Sequence, residues 1–497
     1  MIKRAGISHF GLWLGPLLAV AVFLFLPSAE QAAANGLSLA GRLTAALAVW
    51  MATWWLTEAL PLAATALLPV VVLPLAEVST LATVAAPYAN PLIFLFLGGF
   101  LIGLAIQRFN LHRRLALHIL LAVGTSPRRL IGGFMLASAA LSMWISNTAT
   151  AIMMLPIGAS LLNMLNDGKP KNLADTSKSG EEGSDPFATA LVLGIAYACS
   201  IGGIGTLIGT PPNLILAAFL RDQYGIELSM VQWLKVGLPL VAILLPLCWF
   251  YLTRVAFRVS NEPLPYGRDV VRAELAALGP MGRGERVVGT VFLLTAAAWI
   301  LRPQIADWTG LKGLHDATIA MVAALALFVL PVNASPRRAA MDWDTAKLLP
   351  WDILILFGGG LSLAGAITMT GVDVFVGSGF SQFAGLATWL LVLVVAGGVI
   401  LLTEITSNTA VATTLMPVLA ATAVATEIPP GLLLTAAAMA ASCAFMLPVA
   451  TPPNAVVFAS GFVSVQQMAR AGFWLNVAAT LVITTIVYFG VRVVISI

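Results

Sequence analysis

A small set of neutral oxygen-bearing residues recurs in this chain as a unit. Ser146-Asn147-Thr148 returns as Ser407-Asn408-Thr409, 261 positions later. Four residues before each tripeptide stands another hydroxyl, Ser142 in the first copy and Thr403 in the second. Hydroxyl and amide oxygens are the ligands that a small hard cation accepts in place of water. On a helix, i and i+4 share a face, so Ser142 can meet Ser146 with Asn147 beside it. Thr403, Ser407 and Asn408 repeat that set. Each tripeptide also opens a new half-helix, from Ala149 or Ala410 onward, whose free N–H groups favour an anion. One Ser-Asn-Thr alone is more simply a helix cap or a helix–helix contact. Two copies, each with its upstream hydroxyl, point to a paired binding site.

A second motif is also doubled. Thr210-Pro211-Pro212-Asn213 returns as Thr451-Pro452-Pro453-Asn454, 241 positions later. Two prolines interrupt helical hydrogen bonding and free carbonyls upstream. They also suit the first turn of a helix, with Thr210 or Thr451 as its N-cap. Each copy therefore predicts two half-helices joined by unwound backbone, with the Gly209 and Ala450 carbonyls offered to a cation. The threonine hydroxyls can donate to an anion. Gly202, Gly203, Gly205 and Gly209 loosen the first copy, and Pro448 stands in the second. A lone copy would be an ordinary proline kink. Gly98-Gly99 and Gly358-Gly359 form a third pair, 260 positions apart. The two longer offsets exceed the 241 offset by about the length of the polar 166–186 loop, which the second half lacks.

Charged and reactive residues add little. Glu404 has no acidic counterpart at Met143; it is either a proton or cation carrier, or a buried acid held by a partner. Glu58, Asp352 and Asp373 fall near span ends and read as interfacial. His9, His112, His118 and His315 read as surface residues. Cys199, Cys248 and Cys443 lie in apolar runs as small core residues, without disulfide or metal spacing. Trp50, Trp54 and Trp55 suit interface belts or helix packing. No His/Asp/Glu/Cys constellation falls within the apolar runs, which argues against an enzyme.

The elements that must position these residues follow from composition. Of 497 residues, 59% are hydrophobic and 10% charged, against about 25% charged in soluble domains. The mean hydropathy is +0.95. A soluble enzyme, a nucleic-acid binder and a disordered chain are excluded. An all-α polytopic membrane protein remains. The pI near 9.1 reflects basic loops on one side of a membrane. Apolar runs long enough to cross fall near 10–27, 39–59, 61–77, 88–107, 187–220, 232–257, 287–303, 316–332, 350–369, 431–461 and 472–494. The first is longer than a signal-peptide core and reads as an uncleaved span despite Lys3, Arg4 and Ala32-Ala33-Ala34. The stretches 127–165 and 378–426 are too long for one crossing and carry the tripeptides at their centres. Both read as re-entrant hairpins whose tips are buried in protein or line an aqueous cavity.

Eleven spans and two hairpins, with the N-terminus inside, place 20 of the 26 Lys and Arg residues on the inner side, as the positive-inside rule requires. The polar stretch from Asn166 to Pro186 becomes a flexible cytoplasmic loop. An odd number of crossings separates the two copies of each motif, so the halves are inverted. Inverted repeats around a midplane site characterise many secondary transporters.

In these motifs the chain resembles the divalent anion/sodium symporters, the INDY-like carriers related to animal sodium–dicarboxylate cotransporters, over nearly its whole length. The resemblance implies a homodimer in the bacterial plasma membrane, sodium-driven uptake of C4-dicarboxylates such as succinate, fumarate or malate, and an elevator motion. It implies one sodium site from Ser142, Ser146, Asn147 and the Gly209 carbonyl, and another from Thr403, Ser407, Asn408 and the Ala450 carbonyl. The dicarboxylate would lie between the tips, near Asn147, Thr148, Asn408 and Thr409, with Thr210, Thr451 and Pro452 closing the site. Thr210, where some relatives have serine, bears on pocket size. No Lys or Arg stands at the site; helix N-termini and bound sodium would supply the positive field. The implied division is an N-terminal span (1–38), scaffold (39–125), transport region (126–231), connecting span and loop (232–286), scaffold (287–377), transport region (378–471) and C-terminal span (472–497). A sodium-independent exchanger, a proton-coupled carrier resting on Glu404, and a carrier of sulfate or citrate are the alternatives; a channel is disfavoured.

Overall fold

The computed structural model describes residues 2–28, 36–124, 126–165, 185–260, 262, 267–311, 313–333, 338–380 and 385–491. These form twenty-four α-helices and one two-stranded antiparallel sheet. The expected 166–186 loop, the alanines at 32–34 and several loop cations lie wholly or largely outside the described residues. Among the described residues, six helical stretches are long and apolar enough to cross a bilayer, and a bent pair adds a seventh.

The chain begins with α1 (Ile2–Phe25) and α2 (Leu39–Thr57), which pack together, with Gly15 against the Trp50 and Trp54 rings. A single span is expected over 61–77, yet the chain forms α3 (Leu62–Thr65) and α4 (Leu68–Leu75), broken at Ala66–Leu67 and followed by α5 (Leu81–Ala85). Pro69 and Pro74 lack the N–H groups that would bond the carbonyls upstream. At the break itself the Tyr88 hydroxyl donates to the Ala66 carbonyl.

From here the helices repeat in order. The first set is α6 (Pro91–Arg108), α7 (Leu111–Val123), α8 (Pro127–Ser142), α9 (Asn147–Leu165), α10 (Pro186–Gly203), α11 (Pro211–Tyr224) and α12 (Met230–Phe250), the last continuing as a π-helix over Tyr251–Ala256. Between the sets lie α13 (Gly267–Ala277), α14 (Arg283–Ile300), α15 (Arg302–Thr309), α16 (Asp316–Val329), β1 (Pro331–Asn333), β2 (Arg338–Ala339) and α17 (Trp343–Ala346). The second set is α18 (Trp351–Met369), α19 (Val372–Phe380), α20 (Thr388–Thr403), α21 (Asn408–Ala425), α22 (Pro430–Ala441), α23 (Pro452–Ala459) and α24 (Val465–Ile486), again ending in a π-helix, Val487–Val491.

The matching starts are local chemistry. α10 opens at Pro186 beneath Asp185, whose Oδ1 accepts the Phe187 N–H at 2.9 Å. α12 and α24 both open with a capping box, Ser229 with Gln232 and Ser464 with Gln467. Each box bonds two otherwise orphaned end donors. The glycine pairs let helices touch. A Cβ on Gly98 would meet the Ala320 backbone of α16 at 2.7 Å, and one on Gly358 would run into Tyr88.

α10 and α22 form the centre; every side chain of α10 from Phe187 to Gly203 is buried. α12, α14 and α24 carry exposed apolar residues such as Leu247, Leu293 and Phe473, the surface a lipid-facing helix presents. Two further details correct the sequence reading. α7 is an additional amphipathic helix, anchored where the Arg114 guanidinium donates to both Glu285 oxygens at 2.7 and 3.2 Å. His112 is buried, its Nδ1 3.0 Å from the Ile106 carbonyl, because α7 turns its first residues inward.

Candidate functional site

The first tip, between α8 and α9, holds a proton shortage. Ser142 Oγ is buried within reach of Asn147 Oδ1 and, at 2.7 Å, of the Cys199 carbonyl. One hydroxyl has one proton, so it can donate to only one of these acceptors. Three oxygens thus converge where lone pairs outnumber protons, the environment a cation relieves. A side chain starting on Gly203 would fill the space beside them: its Cβ would stand 2.7 Å from Asn147 Oδ1 and 3.1 Å from the Gly209 carbonyl oxygen. The absent Cβ leaves a small cradle bounded by Asn147 and Gly209, two of the expected ligands. Ser146 Oγ accepts the Ala149 N–H at 3.2 Å, so this serine does cap α9.

The second tip, between α20 and α21, repeats the arrangement. Thr403 Oγ1 lies 2.6 Å from Asn408 Oδ1 and 3.1 Å from the Ala441 carbonyl. Again one proton faces two acceptors. Ser407 is the N-cap of α21 without a side-chain capping bond, leaving its hydroxyl oxygen to other uses. The alanine 241 positions after Gly203 is Ala444, so the second cradle carries a methyl group that the first lacks.

The Thr-Pro-Pro-Asn breaks also share several bonds. α10 stops at Gly203 and α11 starts at Pro211; α22 stops at Ala441 and α23 starts at Pro452. The Gly209 N–H donates to the Thr206 carbonyl at 3.4 Å, and the Ala450 N–H to the Leu447 carbonyl at 3.2 Å. The closing asparagines, given no role by sequence reasoning, hold each break together. Asn213 Nδ2 donates to Thr206 O at 2.7 Å and Gly203 O at 3.2 Å. Asn454 Nδ2 donates to Leu447 O and Ala444 O, both at 3.1 Å. Both are fully buried, and both Oδ1 atoms have no hydrogen-bond partner among the described residues. The missed signal was the fourth letter of a doubled motif.

Thr210 and Thr451 are both buried N-caps, but they act differently. Thr451 Oγ1 accepts the Asn454 N–H at 3.3 Å. Thr210 Oγ1 instead lies 3.3 Å from Ser442 Oγ, which follows the Ala441 bonded by Thr403. A continuous path therefore runs from Ser142 and Asn147 past Gly209 and Thr210 to Ser442, Thr403 and Asn408, bringing six of the thirteen expected site residues together. Thr148 and Thr409 sit half-buried in the first turns of α9 and α21, while Pro452 is exposed. The structure places Thr148 and Thr409 at the tips and Pro452 at the start of α23, without joining the three to that path. Tyr197 fastens the halves further: its hydroxyl donates to the Phe445 carbonyl at 2.7 Å, and the two rings meet edge to face.

Glu404 is a buried acid held by partners. Its Oε1 accepts the Phe445 N–H at 2.7 Å, the Met446 N–H at 2.9 Å and Asn476 Nδ2 at 2.7 Å. Its Oε2 accepts the Leu447 N–H at 3.0 Å. A carboxylate so occupied neutralises the exposed donors of the second break. The ion pairs Arg114–Glu285, Arg108–Asp342 and Arg302–Asp316 all lie away from the tips. The N-terminal ends of α9 and α21 are then the local sources of positive potential.

The sequence compares closely with known proteins. The family model for the sodium:sulfate symporter transmembrane region matches residues 11–496. A sodium-dependent dicarboxylate transporter, SdcS, of Staphylococcus saprophyticus is 45% identical over 490 residues, covering 98% of this chain and 92% of the relative. SdcS of Staphylococcus aureus strain USA300 is 43% identical over 489 residues, with the same coverage. Among solved structures, the Alcanivorax borkumensis YdaH transporter superposes with a TM-score of 0.55 at 14% identity, covering 82% of this chain and 86% of that one. That likeness concerns the fold.

Proposed function

The chain belongs to the sodium:sulfate symporter family, and from that premise we propose that it is a sodium-coupled symporter of C4-dicarboxylates in the bacterial plasma membrane. The observation that carries the reading is the pair of hydroxyls, Ser142 and Thr403, each set between two acceptor oxygens at matching places. The names of the SdcS relatives supply the substrate class. A carrier of this kind makes and breaks no covalent bond.

The first sodium site takes Ser142, Ser146, Asn147 and the Gly209 carbonyl; the second takes Thr403, Ser407, Asn408 and the Ala450 carbonyl. Sodium at either tip lets the hydroxyl turn its proton to the backbone carbonyl while its lone pairs face the ion. The Asn147 and Asn408 amides give their oxygens to sodium and their N–H groups to the substrate. The dicarboxylate lies between the tips, one carboxylate near Asn147 and Thr148, the other near Asn408 and Thr409, with Thr210, Thr451 and Pro452 at its rim. Two helix N-termini and two bound sodium ions offset its two negative charges without Lys or Arg. Substrate then binds well only after sodium, which is the coupling.

The regions 126–231 and 378–471 form the moving body, and 39–125 with 287–377 the scaffold of a homodimer. The hydrogen bonds from Tyr197 to Phe445 and between Thr210 and Ser442 support one moving body, since they tie the two breaks into a unit. The halves run in opposite directions through the membrane, the arrangement for alternating access about a central site. Uptake of labelled succinate into liposomes tests the function. It is expected to require sodium and to rise more steeply than linearly with sodium concentration. Equal uptake in choline, with counterflow intact, would identify an exchanger and sink the proposal. Citrate and sulfate competing as well as succinate would overturn the substrate class.

A further inference from the structure

Away from the tips, the C-terminal end of α6, the N-terminal end of α14 and the strands β1 and β2 border an open cavity of about 210 Å³. Arg108, Arg283 and Arg338 line it, with Phe109 and Asn333. Their charge is not balanced locally. Asp342 accepts from Arg108 Nη2 at 2.5 Å. The backbone and hydroxyl donors of Thr345, and then Arg108, hold the Asp342 carboxyl below the usual carboxylate range, so it stays ionised. Glu285, one turn into α14, is already engaged by Arg114 and the Gly282 N–H. Among the described residues neither Arg283 nor Arg338 has an ion-pair partner. Three guanidiniums thus face one carboxylate. Arg108 lines the cavity with a side chain that is 27% exposed. Arg283 is the first residue of α14, so the positive end of that helix adds to the field.

We propose that this cavity is a binding site for a phosphate-ester anion, with Arg108, Arg283 and Arg338 as its ligands. A guanidinium fork matches two phosphate oxygens. The surroundings favour a lipid headgroup over soluble phosphate. Trp343 and Leu348, just beyond Asp342, are 61% and 73% exposed, and the Trp343 and Trp351 rings stand 6.5 Å apart. Exposed tryptophans mark the headgroup level of a bilayer. The arginines fall on the inner side in the positive-inside reading, and basic pockets on that side suit anionic lipids. Bound there, the headgroup would tie α6, α14 and the hairpin together within the scaffold, independently of the transport site.

The test is a thermal melt of the purified full-length protein in detergent. It compares added phosphatidylglycerol, phosphatidylcholine and inorganic phosphate, for the wild type and the double variant Arg283→Gln/Arg338→Gln. Both residues are exposed, so the variant should fold. Phosphatidylglycerol is expected to raise the wild-type midpoint by roughly 2–4 °C more than phosphatidylcholine, and the double variant to lose at least half of that gain. Arg254→Gln, a basic residue outside the cavity, should keep it. If inorganic phosphate gives the same arginine-dependent rise, the site stands with soluble phosphate as its occupant. Equal shifts in wild type and double variant, or no preference for phosphatidylglycerol or phosphate, would overturn the site.

Discussion

Replacing Glu404 with glutamine isolates what this buried acid does. Its Oε1 takes three donors, from Phe445, Met446 and Asn476, and its Oε2 takes the Leu447 N–H. Glutamine can keep its oxygen at the three-donor position. Its NH₂ then faces the Leu447 N–H, so one bond is lost and two donors oppose each other. A hydrogen bond to a charged group contributes about 1.5–3 kcal/mol net, and a stranded buried donor costs about 1–3 kcal/mol. Together these give a loss of roughly 2.5–6 kcal/mol. Alanine would strand all four donors and abolish folding, so glutamine is the informative change. The effect should also reach sodium. The Leu447 carbonyl accepts both the Ala450 N–H and Asn454 Nδ2, so loosening 445–447 displaces the proposed Ala450 ligand. Two assays read this: the melting midpoint of purified protein, and succinate uptake against sodium concentration. Glu404→Gln is expected to melt several degrees lower and to need several-fold more sodium for half-maximal uptake. A proton carrier would behave otherwise, keeping the midpoint while uptake lost its pH dependence. That result, or an unchanged midpoint with an unchanged sodium curve, would refute the reasoning.

Asn147→Ala and Asn408→Ala should each nearly abolish uptake at matched membrane expression, while costing only about 1 kcal/mol of stability; normal uptake by either would return the tripeptides to a capping role. Asn213→Leu and Asn454→Leu keep the number and branching of side-chain heavy atoms but remove the amide bonds to the breaks, and should raise the sodium requirement several-fold in both. Sodium curves that match the wild type would show that the asparagines do not position the ligand carbonyls. In a variant lacking Cys199, Cys248 and Cys443, cysteines at Ser160 and Val418 should label from opposite faces of the membrane, Ser160 from the cytoplasm, each at a rate altered by sodium or succinate. Labelling from one side would defeat the inverted arrangement.

The sequence carried the site further than it carried the scaffold, for a physical reason. Proline and the short polar tripeptides act locally: they end helices wherever they stand. The tips at 143–146 and 404–407 and the breaks at 204–210 and 442–451 therefore fall where the motifs place them. The break at Ala66–Leu67 was missed because the group that meets the Ala66 carbonyl there, the Tyr88 hydroxyl, lies 22 residues away. α7 was missed because its sequence is too polar for a span, and its anchor, Glu285, lies 171 residues along the chain. His112 went wrong for the same reason, since burial of a loop-proximal histidine is decided by the helix it begins.

Glu404 shows most clearly where reading a sequence stops and packing begins. At the tips, the two halves differ by Thr403 for Ser142, a change that keeps the hydroxyl. One residue on, Glu404 stands where the first half has Met143. The first break reaches its tip differently: Thr206 donates its hydroxyl to the Met143 carbonyl, and Trp233 Nε1 donates to Ile204 O at 2.8 Å. Four glycines let that segment fold tightly on itself. The second break has no such glycines, and Pro448 stiffens it. Its exposed N–H groups at 445–447 must therefore be met by a side chain, and a carboxylate is the acceptor that can take three at once while holding Asn476. The acid thus compensates for the glycines that the second half lacks. The two proposed sites are consequently braced by unlike means, the first by the neutral side-chain donors of Thr206 and Trp233 and the second by the Glu404 carboxyl group.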